Sequence, residues 1–277
     1  MSKLEKALSK AKQDRRSILT DQPEPPKRET EPKPLVKTIQ YTQTEVIDCD
    51  PKVLTESKLM FNQDGRFRAA MDYQLLKAQI LKKARDNRWN TLMVTSVGKG
   101  EGKTLTAINL ALAISLELQE TSLLVEADLR EPTLRRYFGI NTKQGLTDYL
   151  LSGTPLPELL INPGIDRFVF LPGGHSIHNS AEMLGSPKMQ DLVAEMKHYY
   201  PDRYVVFDLP PLFECADPLI FSEYVDGILL VAEAYQTTVD QLHKAMELLE
   251  GKNILGAVLN KVKAEDKRYY RYYRYYR

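Results

Sequence analysis

The sequence predicts a doubly wound α/β fold, a mostly parallel sheet with helices on both faces. Two observations predict it. Runs almost continuous in Val, Ile, Leu and Phe recur at 123–127, 168–171, 204–208, 227–232 and 254–259, as strands buried on both faces require, and helical stretches such as 180–199 and 239–250 alternate with them. The stretch 91–104, TLMVTSVGKGEGKT, passes from an apolar run through three glycines into the long apolar segment LTAINLALAISLEL, the order strand, loop, helix.

Taken in chain order, residues 3–13 place Leu4, Ala7, Leu8 and Ala11 at helical spacing, which suits either a short docking helix or a frayed polar one, since so short a helix is marginal alone. From Asp14 to about Val36, prolines and charges predict a disordered linker, and residues 37–65 carry only weak strand or turn signals. A helical face resumes near Arg66, with Ala70, Tyr73, Leu76 and Ile80 aligned through to Arg85, and is expected to pack at the edge of the domain that follows. The expected organisation is therefore an N-terminal segment 1–65, a nucleotide-binding domain 66–265 and a Tyr/Arg-rich tail 266–277.

The glycine loop carries the first chemical reading. Glycines let consecutive N–H groups turn toward an anion, and the helix behind adds the positive end of its dipole. Gly98, Lys99, Gly100, Glu101, Gly102, Lys103, Thr104 and Leu105 are the candidate nucleotide-binding residues. Lys103 would reach the β/γ-phosphates and the Thr104 hydroxyl would ligate Mg²⁺. Val97 stands where the full motif has its first glycine, so the loop is a deviant one.

Two later strands end in acids: LLVEADLREP places Glu126 and Asp128 there, with Arg130 following, and YVVFDLPP places Asp208. Each acid alone reads equally as a helix cap. Two in order after a phosphate loop suit metal binding and phosphoryl transfer, with Asp208 in a Walker B role and Asp128 near the metal or the proton of an attacking hydroxyl. Pro210 and Pro211 stiffen the exit from Asp208, and Asp217 is close enough to join. His175 and His178 read as surface loop residues, Trp89 as packing under the strand before the loop, and Thr237 and Thr238 as a cap or a nucleotide-responsive contact.

Composition narrows the classes. A net charge of +1 gives no general attraction to nucleic acid or anionic membranes. Cys49 and Cys215 are the only cysteines and lack metal-ligand spacing, which fits a reducing cytoplasmic setting without a disulfide framework. No signal-peptide core and no apolar run of about 18 residues is present, so any membrane role is expected to need a partner.

The chain ends YYRYYRYYR, with Tyr269, Tyr270, Tyr272, Tyr273, Tyr275 and Tyr276 interleaved with Arg271, Arg274 and Arg277. Adjacent tyrosine pairs at a chain end offer hydroxyls to a neighbouring active site. Stacking aromatics between arginines also suit a single-stranded nucleic acid.

SVGKGEGKT, LLVEADLREP, VVFDLPP and VLNKV, together with the terminal tyrosine cluster, resemble the bacterial tyrosine autokinases of capsule and exopolysaccharide synthesis, within the MinD/ParA-like deviant Walker P-loop ATPases. The resemblance runs from about Arg66 to the C-terminus. It implies an ATP- and Mg²⁺-dependent protein-tyrosine kinase with Lys103, Asp128, Asp208 and Arg130 in catalysis, Thr104, Asp128 and Asp208 at Mg²⁺, and Asn260 at the adenine. The six tail tyrosines would be autophosphorylated in trans, nucleic acid would not be a partner, and the polymerisation or export of a polysaccharide would be regulated. It further implies recruitment to the inner face of the plasma membrane by a membrane-anchored co-polymerase-type activator. Three features depart from the pattern. The acidic-x-x-Arg-x-x-Arg motif used for subunit contacts becomes Met71, Gln74 and Lys77, leaving a homo-oligomer open; Glu126 replaces the usual Asp; and Lys99 sits one position after the signature lysine of MinD-like dimers. The rival readings are a MinD/ParA-like ATPase switch without kinase activity and a non-catalytic scaffold docking partners through the tail.

Overall fold

The computed structural model describes residues 45–47, 49, 51–59, 68–199 and 202–263. The expected N-terminal helix, the linker and the six tail tyrosines lie outside the described residues.

In chain order the elements are β1 (Glu45–Val46), α1 (Pro51–Glu56), α2 (Arg68–Asn87), β2 (Thr91–Ser96), α3 (Lys103–Ser115), β3 (Thr121–Glu126), α4 (Leu134–Tyr137), α5 (Leu146–Ser152), α6 (Leu156–Leu159), β4 (Ile161–Asn162), β5 (Phe168–Leu171), α7 (Ser180–Leu184), α8 (Pro187–Tyr199), β6 (Arg203–Asp208), α9 (Asp217–Phe221), β7 (Gly227–Glu233), α10 (Val239–Leu248) and β8 (Ile254–Asn260). The strands form one eight-stranded sheet in the order β1-β4-β5-β3-β6-β2-β7-β8. All neighbours are parallel except β4 and β5, which meet antiparallel at Ile161 and Phe170. The doubly wound fold is thus observed, with this one reversed pairing that the short Ile161–Asn162 run did not announce.

Alternate strand residues feed two apolar layers, the physical reason for the continuous apolar runs. Leu92, Val94, Leu124, Phe168, Phe170, Val206, Leu229 and Val231 pack with α2, α3 and α4, where Phe138 stacks on Phe170 with ring centroids 4.6 Å apart. Met93, Leu123, Val125, Val169, Val205, Phe207, Ile228 and Leu230 face α5 to α10. Helix α3 is buried along its whole length from Thr106 to Ser115 and forms the spine of the first layer.

The helical face after Arg66 is realised as α2, whose Ile80, Leu81 and Ala84 join that layer while the Lys83 ammonium donates to the carbonyls of Ile254 and Leu255 on the edge strand, at 3.3 and 3.2 Å. Trp89 packs against the same layer. One expected element divides in two: the helix read over 180–199 is α7 and α8, because Pro187 has no N–H to continue a helix and disfavours helical backbone at Ser186. Cys49 and Cys215 are not joined in a disulfide, and among the described residues no helix is long and apolar enough to cross a membrane.

Candidate active site

The sheet order explains the site. The chain leaves β2 through α3 for β3, and β6 later inserts between them, so the carboxyl ends of β2, β6 and β3 lie side by side at a topological switch point. Register puts Asp208 opposite both Val94 of β2 and Glu126 of β3.

The loop 97–102 sits on the end of β2. It is pinned by the Val97 N–H on the Val231 carbonyl at 3.1 Å, and from the other side by Leu212 N–H on Ser96 O at 2.8 Å. Gly100 and Gly102 take φ of 82° and 93°, the left-handed region that lets the chain curl into α3. A Cβ on Gly102 would also collide with Asn260 Nδ2. That amide, at the end of β8, donates to the Glu101 carbonyl at 2.8 Å, and Thr237 Oγ1 donates to Glu101 Oε1 at 2.5 Å. Thr238 caps α10 through Gln241. Thr238 thus takes the capping role, and Thr237 ties the loop to the turn before α10.

Lys103 is the hub. Its Nζ lies 2.7 Å from Asp128 Oδ2, 3.4 Å from Asp208 Oδ1 and 3.3 Å from Thr104 Oγ1. Burial works to lower the Lys103 pKa, but Asp208 and Asp128 more than offset it and the ammonium is held above its ordinary value. Asp208 is 1 % exposed, and burial pushes its carboxyl up against the opposing pull of Lys103. Its second oxygen, Oδ2, is buried without a hydrogen-bond partner among the described residues.

Glu126 does not join the Lys103 cluster. Its Oε1 accepts from the N–H groups of Thr133 and Leu134, at 2.5 and 2.6 Å, and its Oε2 from Gly173 N–H at 2.7 Å. Burial raises its pKa to about 7 in spite of those donors. The extra methylene relative to Asp lets the carboxylate reach the start of α4 and the loop after β5. Arg130 is half-exposed and turned to Asp217, with Nε and one terminal nitrogen each 3.4 Å from the carboxylate. Lys99 is exposed and pairs with Glu131 at 2.5 Å, and the Glu131 N–H donates to Asp128 Oδ1 at 3.2 Å.

The structure thus brings Lys103, Thr104, Asp128 and Asp208 together, lays Gly98 to Gly102 as the loop above them and places Leu105 in the first turn of α3 against the core. It sets Asn260 beneath the loop and Arg130 to one side on Asp217. Sequence reasoning missed Glu131 and Tyr137. Burial, followed by Asp208, raises the Tyr137 phenol, which places it within electrostatic reach of the carboxylates. Neither residue has a local signature. His175 and His178 are exposed on the loop before α7.

Among the described residues no three His, Cys, Asp or Glu side chains converge as a protein-only metal cage would need. Two carboxylates, one of them carrying the orphaned Asp208 Oδ2, and a hydroxyl form instead the donor set that suits Mg²⁺, which keeps waters and substrate oxygens in its shell.

A glycine loop opening a helix at the switch point, with a lysine and strand-end carboxylates converging beneath it, defines a P-loop nucleotide-binding protein. The chain belongs to the CobQ/CobB/MinD/ParA nucleotide binding domain family, whose sequence profile matches residues 92–276, and within it to the bacterial tyrosine kinases. It is 33 % identical over 190 residues to the tyrosine-protein kinase YwqD of Bacillus subtilis (strain 168), covering 68 % of this chain and 79 % of that one. It is 27 % identical over 224 residues to the tyrosine-protein kinase CpsD of Streptococcus agalactiae serotype III (strain NEM316), covering 80 % and 89 %. The kinase domain of the Escherichia coli tyrosine kinase ETK shares the fold, with a TM-score of 0.69 at 24 % identity over 82 % of this chain and 91 % of that one.

Proposed function

We propose that the protein is an ATP-dependent protein-tyrosine autokinase that phosphorylates its C-terminal tyrosine cluster in trans and regulates exopolysaccharide or capsule polymerisation or export. The observation that carries this reading is the Lys103–Asp128 pair at 2.7 Å with Asp208 behind it, in a chain of the tyrosine-kinase group.

In this reading the loop N–H groups and the α3 dipole hold the β/γ-phosphates, and Lys103 turns from the carboxylates to the transferring phosphate. Thr104, Asp128 and Asp208 would hold Mg²⁺, which when bound with ATP supplies charge neutralisation at the phosphate oxygens. Asp128 accepts the proton of an incoming tyrosine hydroxyl while the phenolic oxygen bonds to the γ-phosphorus, the bond from that phosphorus to the β–γ bridging oxygen breaks, and ADP leaves. Arg130, held by Asp217, steers the segment that carries Asp128. Asn260 contributes to the nucleotide pocket through the loop it supports. Each phosphate would add about −1.5 to −2 charge to the basic tail. A membrane-anchored co-polymerase-type partner would bring the chain to the inner face of the membrane and activate it.

The test is intact mass and phosphopeptide mapping after incubation with ATP and Mg²⁺, with and without such an activator, beside Lys103→Ala and a chain ending before Tyr269. Phosphates confined to the tail and absent from the Lys103 variant are expected. Steady ATP hydrolysis with an unmodified tail under both conditions would replace this reading with that of an ATPase switch.

A further inference from the structure

The acceptor side of the site has its own chemistry. Two loops flank Asp128 at the mouth. One, after β3, carries Glu131, with 63 % of its side chain exposed and its N–H on Asp128 Oδ1. The other, after β6, turns through the Glu214 N–H on the Pro211 carbonyl and rests on the phosphate loop through the Phe213 N–H on the Val97 carbonyl at 3.3 Å. It presents Phe213, 42 % exposed, beside the exposed Glu214. The Lys99 ammonium pairs with Glu131 at 2.5 Å and also feels Glu214 and Asp128, so both acids act on one lysine of the phosphate loop. Behind Lys103 lies the buried Asp208, whose Oδ2 has no hydrogen-bond partner among the described residues. A surface aromatic and two exposed acids, on loops that both touch the phosphate loop, suit an aromatic residue with a cation next to it.

The chain carries such a segment. In RYYRYYRYYR, from Arg268 to Arg277, every tyrosine has an arginine as its immediate neighbour on one side. We propose that Glu131 and Glu214, together with Phe213, form the acceptor-reading rim of the active site, which takes the tail of a second copy of this chain by the arginine adjoining each tyrosine. Glu131 then exchanges Lys99 for a tail arginine. A guanidinium satisfies a carboxylate bidentately where an exposed lysine offers a single point charge, so the exchange favours the tail and frees Lys99 from Glu131. Phosphorylation of the tyrosine next to that arginine puts negative charge against both acids, and the product leaves by repulsion. This inference rests on the proposed kinase reading and adds to it how the acceptor is selected.

The experiment measures trans-phosphorylation of a full-length Lys103→Ala acceptor by the full-length active chain, in the presence of the activator if one is needed. The acceptor tail is native or has Arg268, Arg271, Arg274 and Arg277 changed to glutamine. The enzyme is native or Glu131→Gln/Glu214→Gln. With the native enzyme, removing the arginines is expected to raise the acceptor KM about tenfold while kcat and the KM for ATP stay within about threefold. The enzyme double variant should give the same rise on the native tail and little further loss on the glutamine tail, the non-additivity that marks a shared contact. An unchanged KM for the glutamine tail overturns the proposal, as does a full second loss in the doubly altered pairing. Absence of transfer in the native pairing would overturn the kinase reading instead. The rim is then decided by binding of a synthetic 264–277 peptide to the full chain: weakening by either set of substitutions supports it, and equal affinity overturns it.

Discussion

At the scale of single residues, strain and charge are concentrated where the loop and the strands meet. Gly102 combines a φ of 93° with contact to Asn260, so two separate penalties bear on any side chain there. Gly102→Ala is expected to cost about 1–2 kcal/mol from backbone conformation alone. It should also weaken nucleotide binding by pushing Asn260 from Glu101, and adding Asn260→Ala should restore stability only in part. Urea unfolding and nucleotide titration of the two variants check this. Far from the site, Asp226 pairs with Lys197 and accepts from Thr91 Oγ1 and the N–H groups of Asn90 and Thr91. Burial opposes its charge, but those partners prevail and its pKa is lowered. Because the folded value lies below the unfolded one, this group's stabilisation is present above the unfolded pKa of about 3.9 and is lost as pH falls through the lowered folded value. Asp226→Asn should therefore cost about 2 kcal/mol at neutral pH. Unfolding curves measured against pH should show its deficit closing only in strong acid.

At the scale of elements, Glu126 decides how three pieces meet. Its two oxygens join the end of β3 to the start of α4 and to the loop after β5 through three backbone donors. That loop in turn receives the Leu146 and Thr147 N–H groups at the start of α5. Glu126→Ala leaves those donors without their acceptor and is expected to cost about 3 kcal/mol. The segment bearing Asp128 should shift as well, so kcat should fall more than the KM for ATP rises. Glu126→Gln keeps a reaching carbonyl oxygen and should recover part of both losses. Denaturant unfolding and steady-state kinetics of the pair distinguish this joining role from a purely local one.

At the scale of the whole molecule, the two apolar layers are held in register by β6, the strand between β3 and β2. Phe207 on β6 is fully buried, with its ring centroid 4.9 Å from that of Phe221 on α9. Phe207→Ala should cost about 4 kcal/mol, a large share of the total for a domain of this size. Calorimetry should show a fall in Tm of about 10 °C. An ATP analogue with Mg²⁺ at a hundredfold excess over its Kd should return about 2.7 kcal/mol to any variant whose site is intact, so the loss and the recovery test core and site separately.

Much of this protein was determined by local sequence. Glycines that alone tolerate the positive φ of the loop, a helix buried on every side, and apolar runs ending in acids are properties of a few adjacent residues. For that reason the fold class, most strand positions and the nomination of Lys103, Thr104, Asp128 and Asp208 were legible in it. The break before Pro187 has a local cause too, but the residues on either side share helical character and so read as one helix. What only the tertiary structure decided depends on partners far apart in the chain. Lys103 and Asp208 are 105 residues apart and meet because β6 enters between β3 and β2. Arg130 and Asp217, 87 apart, pair because α9 returns beside the segment after β3. The reach of Glu126 to Gly173 and the approach of Glu131 and Glu214 to one lysine have the same origin. Strand order is set by which faces bury most apolar surface together, a property of the assembled sheet that no single segment contains.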